Sequence, residues 1–154
     1  MKHCTQLRRI LRRGGALLPL LVPVLACMAP PAARAADTEL QKAIARGSAA
    51  FQHSSFGAST GRVCNTCHLA GGTQPGRLPN GKAIPSLSNA ATIFPRVREQ
   101  DHALITLADQ IRGCVGGAIE GQPPEYGSEE LNSLVSYVTS LAQGKAIDMG
   151  GQAK

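Results

Sequence analysis

Cys64, Cys67 and His68 are the residues whose types and spacing specify chemistry most directly. They form a C-x-x-C-H run, Cys64-Asn65-Thr66-Cys67-His68. On a helical turn, two cysteines three apart and the histidine that follows project to one face. Two thiols placed so can form thioether bonds to haem vinyl groups while the imidazole meets the iron, which is the chemistry of c-type haem attachment. A redox dithiol wants a βαβ context, and a zinc site wants a second ligand pair at similar spacing. Beyond this run and residues 1–35 the chain has only Cys114, with no second C-x-x-C and no H-x-x-x-H. The motif therefore predicts one covalently attached haem c, held by Cys64 and Cys67, with His68 as proximal iron ligand.

The opposite face of the iron decides potential and substrate access. For a chain beginning at Ala36 the available ligands are Met149, His53, His102, Cys114 and, remotely, Lys82. A methionine ligand is expected on the loop before the last helix, and residues 113–127 contain none. Met149 follows the final helix in a glycine-flanked tail, where ordering it over a haem costs conformational entropy. His102 falls in a predicted first helical turn, and His53 precedes the motif. Cys114 occupies the loop where the methionine is missing, although a lone cysteine is commonly a buried structural thiol. We expect Cys114 as distal ligand, with Met149, a histidine or an open position as the alternatives. As a thiolate it would stabilise ferric iron and lower the potential relative to a His/Met haem.

A proximal histidine commonly donates its second ring N–H to a carbonyl, which orients the ring. Pro85 is the expected acceptor, with Pro79 or a plain turn proline as alternatives, and Leu87 is expected to pack on the haem face. No catalytic residue is assigned.

Three helices must position these groups. Thr38 to Gln52 carries Leu40, Ile44 and Phe51 roughly on one side, with Asp37 or Thr38 as N-cap. Within it Gly47 and Phe51 make a G-x-x-x-F pair suited to close approach of another helix. Asp101 to Arg112 is a second helix, capped by Asp101, striped by Leu104, Ile105, Leu107, Ala108 and Ile111, and ended by Gly113. Ser128 caps a third, with Glu129 and Glu130 in its first turn and Leu131, Leu134, Val135, Val138 and Leu141 as its stripe. Between them, residues 69–82 are rich in glycine and proline and can wrap a flat macrocycle with backbone alone. No strand alternation and no repeat is found, so the expected class is all-α, three main helices around one haem. The tail, residues 148–154, reads as mobile.

Composition agrees with a cofactor-centred fold. A chain of 154 residues makes one domain, and 3% aromatic content with no Trp is a thin core that a haem would complete. The formal charge is +6. Six of the 16 Lys and Arg residues, Arg34 the last of them, precede residue 36, whereas all 10 acidic residues follow it. Without that leader the chain is near neutral, and haem propionates would make it slightly acidic, so nucleic-acid binding is not expected.

Residues 1–35 read as a secretory signal. Arg8, Arg9, Arg12 and Arg13 precede an apolar run from Ala16 to Ala29, and Ala33-Arg34-Ala35 supplies small residues for cleavage before Ala36. Pro19 and Pro23 interrupt the run, which is short of the ~20 residues a membrane span needs. A lipid on Cys27, a twin-arginine reading of Arg8-Arg9 and an uncleaved anchor are weaker alternatives. The expected chain is thus 36–154, periplasmic, with no stable membrane span.

Over most of residues 38–143 the chain resembles a class I cytochrome c: Gly47 and Phe51, Cys64 to His68, Pro85-x-Leu87, and a last helix with Tyr137. Over about 107–147 it further resembles the thiosulfate dehydrogenase family and the cytochrome A subunit of the Sox complex, through Gln110-Ile111-Arg112-Gly113-Cys114, Gly121-Gln122-Pro123, Ser128 to Leu131, Tyr137 and Gly144. That resemblance implies His/Cys ligation with Cys114. It also implies an arginine four residues before the cysteine, where this chain has Gln110, and a serine four after, where it has Ala118. Arg112 is two residues away, and thiosulfate dehydrogenases carry two haems where one motif stands here. Three functions follow: a periplasmic electron carrier exchanging electrons with redox proteins, with a possible link to inorganic sulfur oxidation; a thiosulfate-active enzyme or subunit that binds small sulfur oxyanions, with Cys114 as ligand and sulfur acceptor and Arg112 as stand-in arginine; or a sensor of small gases.

Overall fold

The computed structural model describes residues 31–154, with side chains from residue 38. Residues 1–30, and with them most of the expected leader, lie outside the described residues. The described elements are helices α1 (Pro31–His53), α2 (Cys64–Cys67), α3 (Leu107–Cys114) and α4 (Glu129–Leu141), with short antiparallel ladders β1–β2 (Gly76–Arg77 with Ala83–Ile84) and β3–β4 (Arg96–Val97 with Leu104–Ile105). The architecture is mainly helical, and the two small ladders are an addition to the all-α expectation.

The crossing of α1 and α4 organises the rest. An added Cβ at Gly47 would stand 2.0 Å from the Ser133 carbonyl oxygen and 2.7 Å from the Tyr137 Cβ, so only glycine permits this approach. Phe51, one turn further on, is 3% exposed, and its ring lies 5.3 Å from that of Tyr137. The Gly47/Phe51 pair is thus a helix-crossing device, as its spacing suggested. Phe51 joins Phe56, Val115, Ile119 and Leu134 in one buried cluster, and Ala90, Leu107 and Val138 form a second. Leu87, Ile111 and Tyr137 pack against both.

Helix α4 starts as its sequence predicts, with the Ser128 hydroxyl accepting from the Leu131 N–H at 3.2 Å. Helix α3 does not. Its cap is Thr106, which accepts from the Asp109 N–H while the Asp109 carboxylate accepts from the Thr106 N–H at 2.7 Å, a reciprocal capping box. Asp101 instead pairs with Arg98 in the turn before β4. Leu104 is 73% exposed and Ile105 only 4%, so these two alternate as strand residues and leave the helical stripe expected of them. At its other end α3 runs through Gly113 and Cys114 into a π-helical turn, Val115–Ile119, which closes at Glu120 with φ 65°.

The tail expected to be mobile is hydrogen-bonded back onto residues 86–93. Asp148 N–H donates to Thr92 and Gly150 N–H to Ile93, both at 2.9 Å, and the Ser86 hydroxyl donates to the Lys154 carbonyl at 2.9 Å. Among the described residues no helix is long and apolar enough to cross a membrane.

Candidate metal centre

The C-x-x-C-H run forms a single helical turn, α2, followed by His68 in extended backbone. Its N-terminal end is tied by the Val63 N–H donating to the Thr66 hydroxyl at 3.1 Å. Asn65, between the cysteines, accepts from the Gly71 N–H at 2.8 Å and so anchors the glycine-rich segment that follows. That segment lies directly on the motif. A Cβ at Gly76 would sit 1.8 Å from the Cys67 carbonyl oxygen, and the Tyr137 hydroxyl of α4 donates to the Gly71 carbonyl at 2.8 Å. Gly71, Gly76 and Tyr137 therefore clamp the loop over α2, whereas the composition of residues 69–82 suggested backbone that could wrap a flat macrocycle.

Cys64, Cys67 and Cys114 are all free thiols. Burial pushes the Cys64 thiol up to about 12, and the neighbouring sulfurs of Cys114 and Cys67 add to it. Burial also raises the Cys114 thiol; Cys67 raises it further, while a hydrogen bond from Gln110 and the charge of Arg96 oppose them. The three sulfurs therefore share one electrostatic neighbourhood, with Cys64 and Cys67 supplied by α2 and Cys114 by the last turn of α3. The placement of Cys114 differs from expectation in one respect: it sits inside the helix at the α-to-π junction rather than beyond its end. Such a junction is a common setting for functional side chains.

Burial holds the His68 imidazole below its ordinary pKa, so the ring is neutral near pH 7, the form that ligates metal. Phe51 lies against it with ring centroids 6.2 Å apart. The His68 Nδ1 is buried with no hydrogen-bond partner. The expected bond to the Pro85 carbonyl is therefore not formed, and Pro85 is exposed on the surface. The Leu87 N–H, two residues on, donates to the Gly72 carbonyl at 2.6 Å, and its side chain packs against the buried cluster that contains Phe51.

The rival distal ligands lie on the surface. Met149 is 67% exposed, and His53, Lys82 and His102 are exposed as well, His102 in a left-handed turn with φ 58°. Among the described residues no three His, Cys, Asp or Glu side chains gather as a metal site made of protein alone. The donor set fits a haem: two adjacent free thiols for its vinyls, a neutral buried imidazole beside them, and a sulfur brought from another helix. Thioether formation also suits Cys64, because a thioether carries no charge that burial would penalise. Leu78, Pro79, Asn80, Gly117, Ala118 and Glu120 line a cleft of about 340 Å³.

Two arginines resolve differently from the sequence reading. Arg112 stacks its guanidinium 4.2 Å from the Tyr126 ring centroid and donates to the Pro124 carbonyl, so it belongs to the loop before α4. Arg96, which carried no motif signal, comes from β3. Its Nη2 donates to Gln110 Oε1 at 2.9 Å, and Gln110 Nε2 donates to Cys114 Sγ at 3.5 Å. Its guanidinium also lies 5.4 Å from the Phe94 ring centroid.

The model of the SoxA/TsdA cytochrome c domain matches residues 46–147. Among characterised proteins, the thiosulfate dehydrogenase of Psychrobacter arcticus is 25% identical over 80 residues, covering 52% of this chain and 22% of its own length. That of Stutzerimonas stutzeri is 27% identical over 84 residues, covering 54% and 25%. The chain thus spans about a quarter of the length of the curated relatives it matches. Two solved structures share the fold, each with a TM-score of 0.57. The thiosulfate dehydrogenase (TsdBA) of Marichromatium purpuratum is 22% identical and covers 83% of this chain and 27% of that one. SoxXA of P. pantotrophus is 18% identical and covers 73% and 37%.

Proposed function

This chain belongs to the SoxA/TsdA cytochrome c domain family, and on that premise we propose that it is a periplasmic monohaem cytochrome that transfers electrons in the oxidation of inorganic sulfur compounds. A cytochrome c domain binds haem c; that there is one haem, in a single domain over residues 36–154 after loss of a leader, is our reading of the single C-x-x-C-H. Cys64 and Cys67 hold it through thioethers, His68 is the proximal ligand and Cys114 the distal one. Pro85 takes no part in this reading, and Leu87 packs against the buried cluster that contains Phe51.

The observation that supports the proposal is that half-buried His68 directly follows two free thiols of α2, and that these share an electrostatic neighbourhood with the free thiol of Cys114 from α3. The bound haem supplies a one-electron ferric/ferrous couple. His68 and Cys114 would hold the iron, Phe51, Leu87 and Ile111 would help exclude water around it, and the protein would present the centre to a partner. Electron exchange through weak, small interfaces suits such a protein, and we take its partners to be periplasmic redox proteins.

A second reading, a thiosulfate-active enzyme or subunit, is favoured by the relatives named thiosulfate dehydrogenase and by the guanidinium of Arg96 near Cys114. Arg112 is engaged elsewhere and does not serve it. Purified haem-loaded protein should carry one haem per chain by mass and be reduced and reoxidised by a small c-type cytochrome. Thiosulfate-dependent reduction of an artificial acceptor by the protein alone would favour the enzyme. A mass with no haem, or with two, would contradict the monohaem reading.

A further inference from the structure

We propose that Arg96 and Gln110 form a positioning pair that holds a hydrogen-bond donor on the Cys114 sulfur and thereby raises the reduction potential of the centre. The inference rests on the reading of Cys114 as distal ligand and adds to it the control of that ligand.

The argument begins with the chemistry of the amide. Gln110 can present either its carbonyl or its NH2 toward Cys114, and the two choices have opposite effects on a sulfur that carries negative charge. A guanidinium has only donors, so Arg96 can accept nothing. By donating to Oε1 at 2.9 Å, Arg96 claims the carbonyl end of the amide. The NH2 end is then left facing Sγ at 3.5 Å. Arg96 thus determines which way the amide points, and Gln110 delivers the result to the sulfur.

Each member is itself held. Gln110 lies one turn before Cys114 on α3, so their side chains share a face. Arg96 is fixed by the pairing of β3 with β4, where it stands opposite the buried Ile105, and by the Phe94 ring beside its guanidinium. A donor on an axial sulfur withdraws electron density from it and weakens its donation to ferric iron. Hydrogen bonding around the ligands is one of the protein's levers on potential. A thiolate ligand pulls the potential down, and this pair limits that fall.

The test uses the haem-loaded, exported protein, read by redox titration and by ferric EPR. Gln110→Leu removes the donor and should lower the potential and change the spread of the low-spin g values. Gln110→Glu keeps an acceptor for Arg96 but offers the sulfur no N–H, and should shift the potential in the same direction. Arg96→Met lets the amide turn and removes a charge, so it also lowers the potential. In a Gln110→Leu background only the charge effect remains, and the shift caused by Arg96→Met should be smaller there than in the parent. Equal shifts in both backgrounds would show that Arg96 acts by charge alone and would overturn the pairing. Unchanged potential and spectrum in both Gln110 variants would overturn it as well, even where Cys114→Ala abolishes the parent signal. A parent signal that survives Cys114→Ala would remove both the ligand reading and the pair built on it.

Discussion

Burial is the largest influence on three side chains at the centre, His68, Cys64 and Cys114. It holds the His68 imidazole below its ordinary pKa and pushes the Cys64 and Cys114 thiols up, and the buried Nδ1 of His68 has no hydrogen-bond partner. The Tyr137 hydroxyl is the contact that links α4 to the loop over the motif, through the Gly71 carbonyl. Tyr137→Phe should therefore cost about 1 kcal/mol in chemical denaturation, the typical worth of such a bond, while the visible spectrum keeps its maxima. A loss below a few tenths would mean that the clamp rests on packing alone. The residues of the centre were legible to different degrees. Cys64, Cys67 and His68 announce themselves because covalent attachment demands adjacent side chains on one turn. Cys114 is singled out by its position ahead of the last helix, although the structure sets it in the final turn of α3 and not in a loop. Arg96 could not be found so, because its link to Gln110 exists only once β3 and β4 pair. Arg112 was nearer in sequence, yet its Tyr126 and Pro124 contacts take it elsewhere.

Helix ends and crossings carry the next set of consequences. The Asp109 carboxyl is held down to about 2 from an ordinary 3.8, first by the Tyr126 hydroxyl and then by the Thr106 N–H and hydroxyl. A carboxylate depressed in the folded state contributes stability that is fully present above about pH 4. That contribution falls away as the pH drops toward 2. Asp109→Asn should thus flatten the acid limb of stability between those values, as followed by circular dichroism; an unchanged limb would detach the cap from acid sensitivity. The contribution is small, because the group is close to water. Gly47→Ala, in contrast, forces a methyl group onto Ser133 at the α1–α4 crossing and should cost about 1–3 kcal/mol or more. An alanine variant as stable as the parent would show that the crossing can open freely. The start of α3 was misread because Asp101 and Thr106 are both capping residue types. Leu104 and Ile105 fit a helical stripe as well as they fit a two-residue strand. Ser128 was read correctly because its cap is followed at once by two acids and a long apolar stripe.

For the whole molecule, a thin aromatic core implies that the cofactor completes the fold. Among the described residues the largest fully buried side chains are Leu131, Leu134 and Val115, and none of them is aromatic. Exported protein carrying Cys64→Ser and Cys67→Ser should lose its covalent haem and unfold over a broader, cooler range than the parent; an equally sharp transition would mean that the polypeptide alone makes the core. The helical framework was readable from apolar spacing, whereas the two ladders and the docked tail were not. Two-residue strands leave no alternation to detect, and the tail is tied by backbone and polar contacts such as Ser86 to Lys154. The central claim concerns two iron donors from separate segments, His68 after α2 and Cys114 at the end of α3, and low-temperature EPR of the haem-loaded protein beside Cys114→Ala tests it most directly. The parent should give a low-spin ferric signal of thiolate type that the substitution abolishes. An unchanged signal in Cys114→Ala would make Cys114 a structural thiol and contradict the His68/Cys114 centre.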